Sequence, residues 1–123
     1  VARKQQELMN TFLDVDGVQK DLAAMAPAER KENLKELRKA MGLDNAALQR
    51  WDELDQVRDQ RWDAGMQYMT ERTELEKHYT GSELDKRLDS LRMKYFGDEA
   101  ATIKAEEDSG YYRFKQQRKY GME

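Results

Sequence analysis

Few side chains in this sequence carry the chemistry of catalysis or metal binding. There is one histidine, His78, and no cysteine, which removes thiolate nucleophiles, disulfides and Cys/His metal clusters together. His78 stands between Lys77 and Tyr79 near an expected helix end, where a solvated surface role is the default for imidazole. A Ser-His-Asp arrangement would have to draw on Ser82, Ser90 or Ser109, and none of them lies in a nucleophile elbow. Asp14-Val15-Asp16-Gly17 opens like a calcium loop, but Met25 occupies the twelfth position, where the bidentate glutamate belongs. No glycine-rich phosphate cradle occurs. The 25 carboxylates are spread along the chain, whereas paired acid-base work needs a dry cleft. The expectation is a non-catalytic protein with no cofactor and no metal.

Binding chemistry is better represented. Tyr111-Tyr112-Arg113-Phe114-Lys115-Gln116-Gln117-Arg118-Lys119-Tyr120 alternates aromatic with basic residues directly after Glu106-Glu107-Asp108. Stacking faces beside cations suit single-stranded nucleic acid. They suit a protein interface equally, and the neighbouring carboxylates with a net charge of −3 argue for no nucleic acid. A third reading has Tyr111, Phe114 and Tyr120 packing a terminal amphipathic helix back onto the rest of the chain. Further upstream, Trp62, Met66, Tyr68 and Met69 stand on an otherwise charged stretch. Large aromatic and Met side chains there serve either local packing or a partner, since Trp and Tyr are enriched at interface hot spots and Met adapts to irregular surfaces. Trp62, Met66, Tyr68, Met69 and Tyr112 are the candidate partner-binding residues, and Trp51 is read as structural.

The elements that must position these residues are helical. Among 123 residues there is one proline, and charged and hydrophobic residues each make up 38%. Average domains are about 45–50% apolar, so this chain has little material for a thick core. Its 2 Trp, 6 Tyr, 3 Phe and 7 Met are costly to leave in water and argue against disorder. Extended helices, completed by a partner or by a second copy, satisfy both constraints. No apolar run reaches the roughly 18–20 residues of a membrane-spanning helix.

Punctuation predicts where those helices end. Asp14-Val15-Asp16-Gly17 breaks a first amphipathic stretch, Pro27 suits a first helical position, and Gly42-Leu43-Asp44 reads as a stop followed by an N-cap. From about Asn45 to Tyr79 a single helix of roughly 50 Å fits a rise of 1.5 Å per residue. Thr80-Gly81-Ser82 ends it, and Ser82 with Asp85 resembles a capping box. A fifth helix to about Tyr95 stops at Phe96-Gly97-Asp98. Asp98 then N-caps a sixth, with Glu99 in its first turn, that runs toward Arg118 and weakens near Ser109-Gly110.

Comparing each residue with the one 54 positions later exposes an internal repeat: Glu29 with Glu83, Leu34 with Leu88, Leu37 with Leu91, Arg38 with Arg92, Asp44 with Asp98, and Ala46-Ala47 with Ala100-Ala101. The expected architecture is all-α: an extended array of about six helices with two helix-turn-helix repeat units and one long central helix. The expected division is an N-terminal helical segment over residues 1–25, a first unit with the long helix over 26–79, and a second unit over 80–123. Two copies of a unit that cannot bury its own apolar face must stack or embrace something. Leu34, Leu37 and Met41, and then Leu84, Leu88, Leu91 and Tyr95, keep the spacing of one buried stripe. Leu48, Trp51, Leu54, Trp62, Met66, Met69 and Leu75 follow no single seam, which excludes a regular coiled coil.

One family shows this arrangement. Leu34-Lys35-Glu36-Leu37-Arg38, Ala47-Leu48-Gln49-Arg50-Trp51-Asp52-Glu53-Leu54-Asp55, Arg61-Trp62 with Tyr68 and Glu71-Arg72, and above all Leu91-Arg92-Met93-Lys94-Tyr95-Phe96-Gly97-Asp98-Glu99-Ala100 resemble the C-terminal helical region of the lipase-specific foldases. These are steric chaperones of secreted bacterial lipases, and the resemblance covers about three quarters of the chain, from Ala26 to about Phe114. It implies small helical domains joined by an extended helical arm that clasps a lipase, and a periplasmic location. The family's activating Arg-x-x-Phe-Asp-Tyr stretch has no counterpart, since Phe12-Leu13-Asp14 is too degenerate to stand for it. The family's membrane anchor and Pro/Ala-rich linker are not among these residues, so membrane contact is expected only through an anchor outside them. The chain is therefore expected to be either a piece of a longer protein or a shorter relative that kept the clamp. The expected partner is a protein client, a secreted lipase or similar hydrolase. The alternatives are a self-associating helical structural protein, hence a homo-oligomer, and a nucleic-acid adaptor acting through the basic-aromatic segment.

Overall fold

Leu13 closes the first helix and Asp16 opens the second, so the break at Asp14-Val15 falls where its composition predicts. The computed structural model describes residues 2–121, and every regular element among them is helical. In chain order these are α1 (Ala2–Leu13), α2 (Asp16–Ala24), α3 (Pro27–Ala40), α4 (Asn45–His78), α5 (Gly81–Phe96) and α6 (Ala100–Asp108), with single 3-10 turns at Gly97–Glu99 and Arg113–Lys115.

Local chemistry explains most boundaries. Pro27 sits in the first turn of α3, where its missing N–H costs nothing. At the other end Gly42 adopts φ 93°, its N–H bonds Lys39 O, and Leu43 N–H bonds Arg38 O, the paired bonds of a Schellman stop. Asp44 then accepts the Ala47 N–H at 2.9 Å and caps α4, which runs unbroken for 34 residues.

Three expected ends differ. No capping box forms at Ser82 and Asp85, because Gly81 at φ 60° turns the chain into α5 early enough for Thr80 O to accept the Leu84 N–H. Ser82 is thereby placed inside the first turn. Asp98 does not cap α6. It lies within the turn Gly97–Glu99, which feeds directly into the helix with the Ala100 N–H already bonded to Gly97 O. Nor does α6 run toward Arg118. Gly110 at φ 89° with Gly110 N–H on Glu107 O and Tyr111 N–H on Glu106 O makes a second Schellman stop. Tyr111, Phe114 and Tyr120 therefore share no helical stripe.

The chain divides into two packed units, Val1–Arg58 with Arg118–Glu123, and Asp59–Gln117. One boundary between the units falls inside α4, because packing groups residues by what they bury against and not by where a helix ends. In the first unit Met9, Leu13, Leu22 and Leu34 are buried, with Val18, Met25, Leu37, Met41, Leu43 and Tyr120 packed around them. Arg38 is buried in the same unit and forms a bidentate pair with Asp55, at 2.6 and 3.2 Å. Its guanidinium also lies 4.8 Å from the Trp51 ring, which gives Trp51 a structural partner. In the second unit Tyr68, Leu88, Ala100 and Ile103 form the buried apolar set.

Candidate partner-binding surface

All five residues predicted to meet a partner lie in the second unit, on α4 and on the segment after α6. The helix places them by its period. Trp62, Met66 and Met69 follow i, i+4, i+7 spacing and share one stripe, while Gly65, Tyr68 and Arg72 occupy the adjacent stripe.

That adjacent stripe is the interior of the unit, and Tyr68 belongs to it. Tyr68 was expected to face a partner, but it has 0% exposure and is a core residue. The reason is a charged cluster that needs its hydroxyl. Tyr68 donates to Glu107 Oε2 at 2.7 Å and accepts from Arg72 Nη1 at 3.1 Å. Glu107 Oε1 accepts from Arg72 Nη1 at 2.8 Å and from Arg92 Nε and Nη2 at 3.0 and 2.7 Å. Two guanidinium groups thus share one buried carboxylate. Arg72 reaches outward to Glu76 at 3.0 Å and Arg92 to Asp89 at 3.0 Å, so both positive charges are fully partnered. Burial, and then the bond to Glu107, pushes the Tyr68 phenol above its usual range.

An aromatic ladder continues from Tyr68 toward the surface. Tyr68 packs edge-on to Phe96 at 4.9 Å and Tyr95 at 6.4 Å, Phe96 stacks on Phe114 at 5.6 Å, and Phe114 meets Trp62 edge-on at 5.5 Å. Phe114 lies so close to α4 that a Cβ on Gly65 would sit 2.1 Å from its Cε1, which explains the single glycine within this long helix. Trp62 is half-buried, and its indole meets Phe114 edge-on.

Of the other predicted residues, Met66 is 46% exposed, Met69 is half-buried, and Tyr112 is half-buried with Arg72 5.5 Å from its ring and Lys115 4.7 Å away. The stripe Trp62, Met66 and Met69 is a real feature of one helix. Tyr112 stands beside Arg72, about one turn beyond Met69. Met93, at 60% exposure, and Tyr111, at 46%, are further exposed apolar residues of this unit that sequence reasoning did not single out as partner contacts.

Sequence reasoning also passed over the Glu107 cluster. Arg38 and Arg92 were visible as repeat matches, and each follows a buried leucine by four residues, a position on the apolar stripe where an arginine needs a carboxylate partner. In the first unit the missed apolar residues are Leu8, Phe12 and Val15, along with Leu54 and Val57 on α4, all at least 36% exposed. The signal for the first group was available. Leu8, Met9, Phe12 and Leu13 form two adjacent stripes on α1, and only the Met9 and Leu13 stripe is buried. The basic residues of the C-terminal segment face acids and rings. Arg113 holds Glu106 through two bonds, Lys119 pairs with Asp14, and the Arg118 guanidinium lies 4.3 Å from the Tyr120 ring.

No group of three or more His, Cys, Asp or Glu residues suited to a metal ion occurs among the described residues. No helix among them is long and apolar enough to cross a membrane. Comparison with family models, curated proteins and solved structures finds no match to this chain.

Proposed function

We propose that the chain is a non-catalytic helical clamp of the lipase-foldase kind, working in the periplasm on a secreted protein client such as a lipase. The observation that carries this reading is the Trp62, Met66 and Met69 stripe of α4, which stays partly open to water while the neighbouring stripe is locked into a charged and aromatic interior. A rigid helix with Met66 at 46% exposure beside an anchored indole presents a preorganised apolar ridge. Fully burying a Met side chain is worth about 1.5–3 kcal/mol, and covering the exposed half of Met66 about half of that, so several such contacts together are needed to hold a client without a deep pocket. The mechanism is steric: a client conformation that fits the ridge is bound more tightly than its competitors and becomes more populated.

The two-unit repeat supports the same reading. Leu34 and Leu88, 54 residues apart, are 4% and 5% exposed, and Arg38 and Arg92 are both buried and each paired with a carboxylate. One buried leucine followed four residues later by one buried, carboxylate-paired arginine occurs in each unit, as two copies of one plan would have it.

The test is capture of a secreted bacterial lipase during its refolding. The wild-type chain is expected to retain the lipase on a resin, and the Trp62→Ala/Met69→Ala variant is expected to lose it; equal retention removes the stripe from the account. Self-association is the second reading, favoured by the exposed Leu8, Phe12 and Val15 of the first unit. Light scattering across a dilution series separates the two, because a client-seeking monomer holds 14.5 kDa at every concentration.

A further inference from the structure

Residues 118–121 follow the last helical turn as irregular chain, and side chains of the first unit hold them in place. Gln19, 2% exposed, grips both backbone polar groups of one residue: its Nε2 donates to Tyr120 O at 3.1 Å, and its Oε1 accepts the Tyr120 N–H at 2.8 Å. Arg38, also 2% exposed, donates to Gly121 O at 3.3 Å. The Arg30 guanidinium lies 4.0 Å from the centre of the Tyr120 ring, and Lys119 pairs with Asp14. Gly121, at φ 73°, rests on the leucines beneath it, so that a Cβ there would stand 2.7 Å from Leu34 Cδ2 and 3.3 Å from Leu13 Cδ1.

Each gripping side chain is anchored without help from the segment it grips. Gln19 Nε2 also donates to Leu13 O at 2.6 Å, Arg30 donates to Leu22 O at 2.8 Å and Met25 O at 3.0 Å, and Arg38 is clamped by Asp55. Withdrawing residues 118–121 therefore strips Gln19 and Arg38 of hydrogen-bond partners and Arg30 of a ring, beside Leu13 and Leu34, and unmet groups of this kind favour a replacement partner. The chemistry read is specific: a backbone N–H and C=O pair for Gln19, an aromatic ring for Arg30, and a following residue with no side chain.

We propose that Gln19, Arg30, Arg38 and Leu34 form a peptide-docking site for a bent aromatic-glycine segment, filled by residues 118–121 of the same chain and open to the same segment supplied from a second copy. This site is independent of the client surface on α4. A tethered segment competes at an effective concentration of roughly 1 mM, so for an intrinsic dissociation constant of about 100 µM the resident segment weakens capture of a free peptide about tenfold.

The probe is an acetylated peptide with the sequence of residues 118–123, and the protein is the full chain carrying Tyr120→Ala and Gly121→Val to release its own tail. Saturable binding about tenfold tighter than to the wild-type chain, lost when Gln19→Leu is added, supports the site. A folded tail-released variant that shows no saturable binding into the millimolar range, or binding that survives Gln19→Leu, reduces the segment to a structural strap and overturns the proposal. If the released variant does not fold, the wild-type chain decides: millimolar peptide must move the NMR signals of the Gln19 side-chain amide and the Tyr120 backbone amide, and their constancy overturns it equally.

Discussion

Replacing Glu107 by leucine separates the charged interior of the second unit from its apolar packing. Glu107 accepts four hydrogen bonds: one from Tyr68 at 2.7 Å, one from Arg72 at 2.8 Å, and two from Arg92 at 3.0 and 2.7 Å. Leucine fills similar space and returns none of them. Arg72 and Arg92, whose side chains are 12% and 7% exposed, then keep Glu76 and Asp89 at the periphery as their carboxylate partners, with Arg72 still bonded to the Tyr68 hydroxyl. Removing one partner of a buried ion pair costs about 3–5 kcal/mol, and the two peripheral carboxylates pull the expectation to about 3 kcal/mol. Against a total stability of about 5–15 kcal/mol, this is a large fraction. Urea unfolding followed by circular dichroism should show the midpoint falling with the slope unchanged. The combined replacement Glu107→Leu/Arg72→Met/Arg92→Met should recover most of the loss, because the charges left behind, Glu76 and Asp89, are at least half exposed and solvated rather than buried. A loss below about 1 kcal/mol for Glu107→Leu alone would refute the claim that this carboxylate neutralises both arginines, since a single neutral hydrogen bond already accounts for that much.

Other perturbations follow from the same geometry. Tyr68 has a raised pKa in the fold, so the unfolded chain releases its proton first as pH climbs past the ordinary value of 10.0. Stability is therefore fully present below that pH and declines above it, and in Tyr68→Phe the alkaline decline measured by denaturation at stepped pH should be shallower. Gly65→Ala gains about 1 kcal/mol of helix propensity but drives a methyl into Phe114, so a net loss of about 1–2 kcal/mol is expected, together with a red-shifted Trp62 emission as its ring partner leaves. Two glycines should respond in opposite directions in thermal melts. Gly42→Ala, at φ 93°, costs about 1 kcal/mol, whereas Gly17→Ala, inside α2 with nothing within 4 Å of the added carbon, gains about 0.5–1 kcal/mol.

What the sequence made legible was local. Pro27, Gly42 with Asp44, and the unbroken run from Asn45 mark helix ends through the chemistry of one or two residues, and the structure places those ends accordingly. The buried stripes through Leu34 and Leu88 follow from a period of 3.6. Tyr68 stands among Met66 and Met69 with nothing local to mark it as interior, and the deciding contact, Glu107, lies 39 residues away. Gly65 and Phe114 make the same point, since an irregular segment far along the chain selects the glycine. The end of α6 was different in kind. Ser109-Gly110 reads as a weak point in the sequence, but its strength as a stop comes from the paired carbonyl bonds that Gly110 allows at positive φ.

The clamp reading turns on whether the open stripe of α4 makes the contact with a client. Isothermal titration of a secreted bacterial lipase, held in a partly unfolded state in mild urea, into the wild-type chain and into Met66→Glu measures this most directly. Met66 is 46% exposed, so the charge leaves the unit folded while spoiling the ridge. The account predicts saturable binding to the wild-type chain and a loss of about tenfold or more in Met66→Glu, the equivalent of about 1.4 kcal/mol. Equal affinity for the two proteins, or no binding to either, would contradict it.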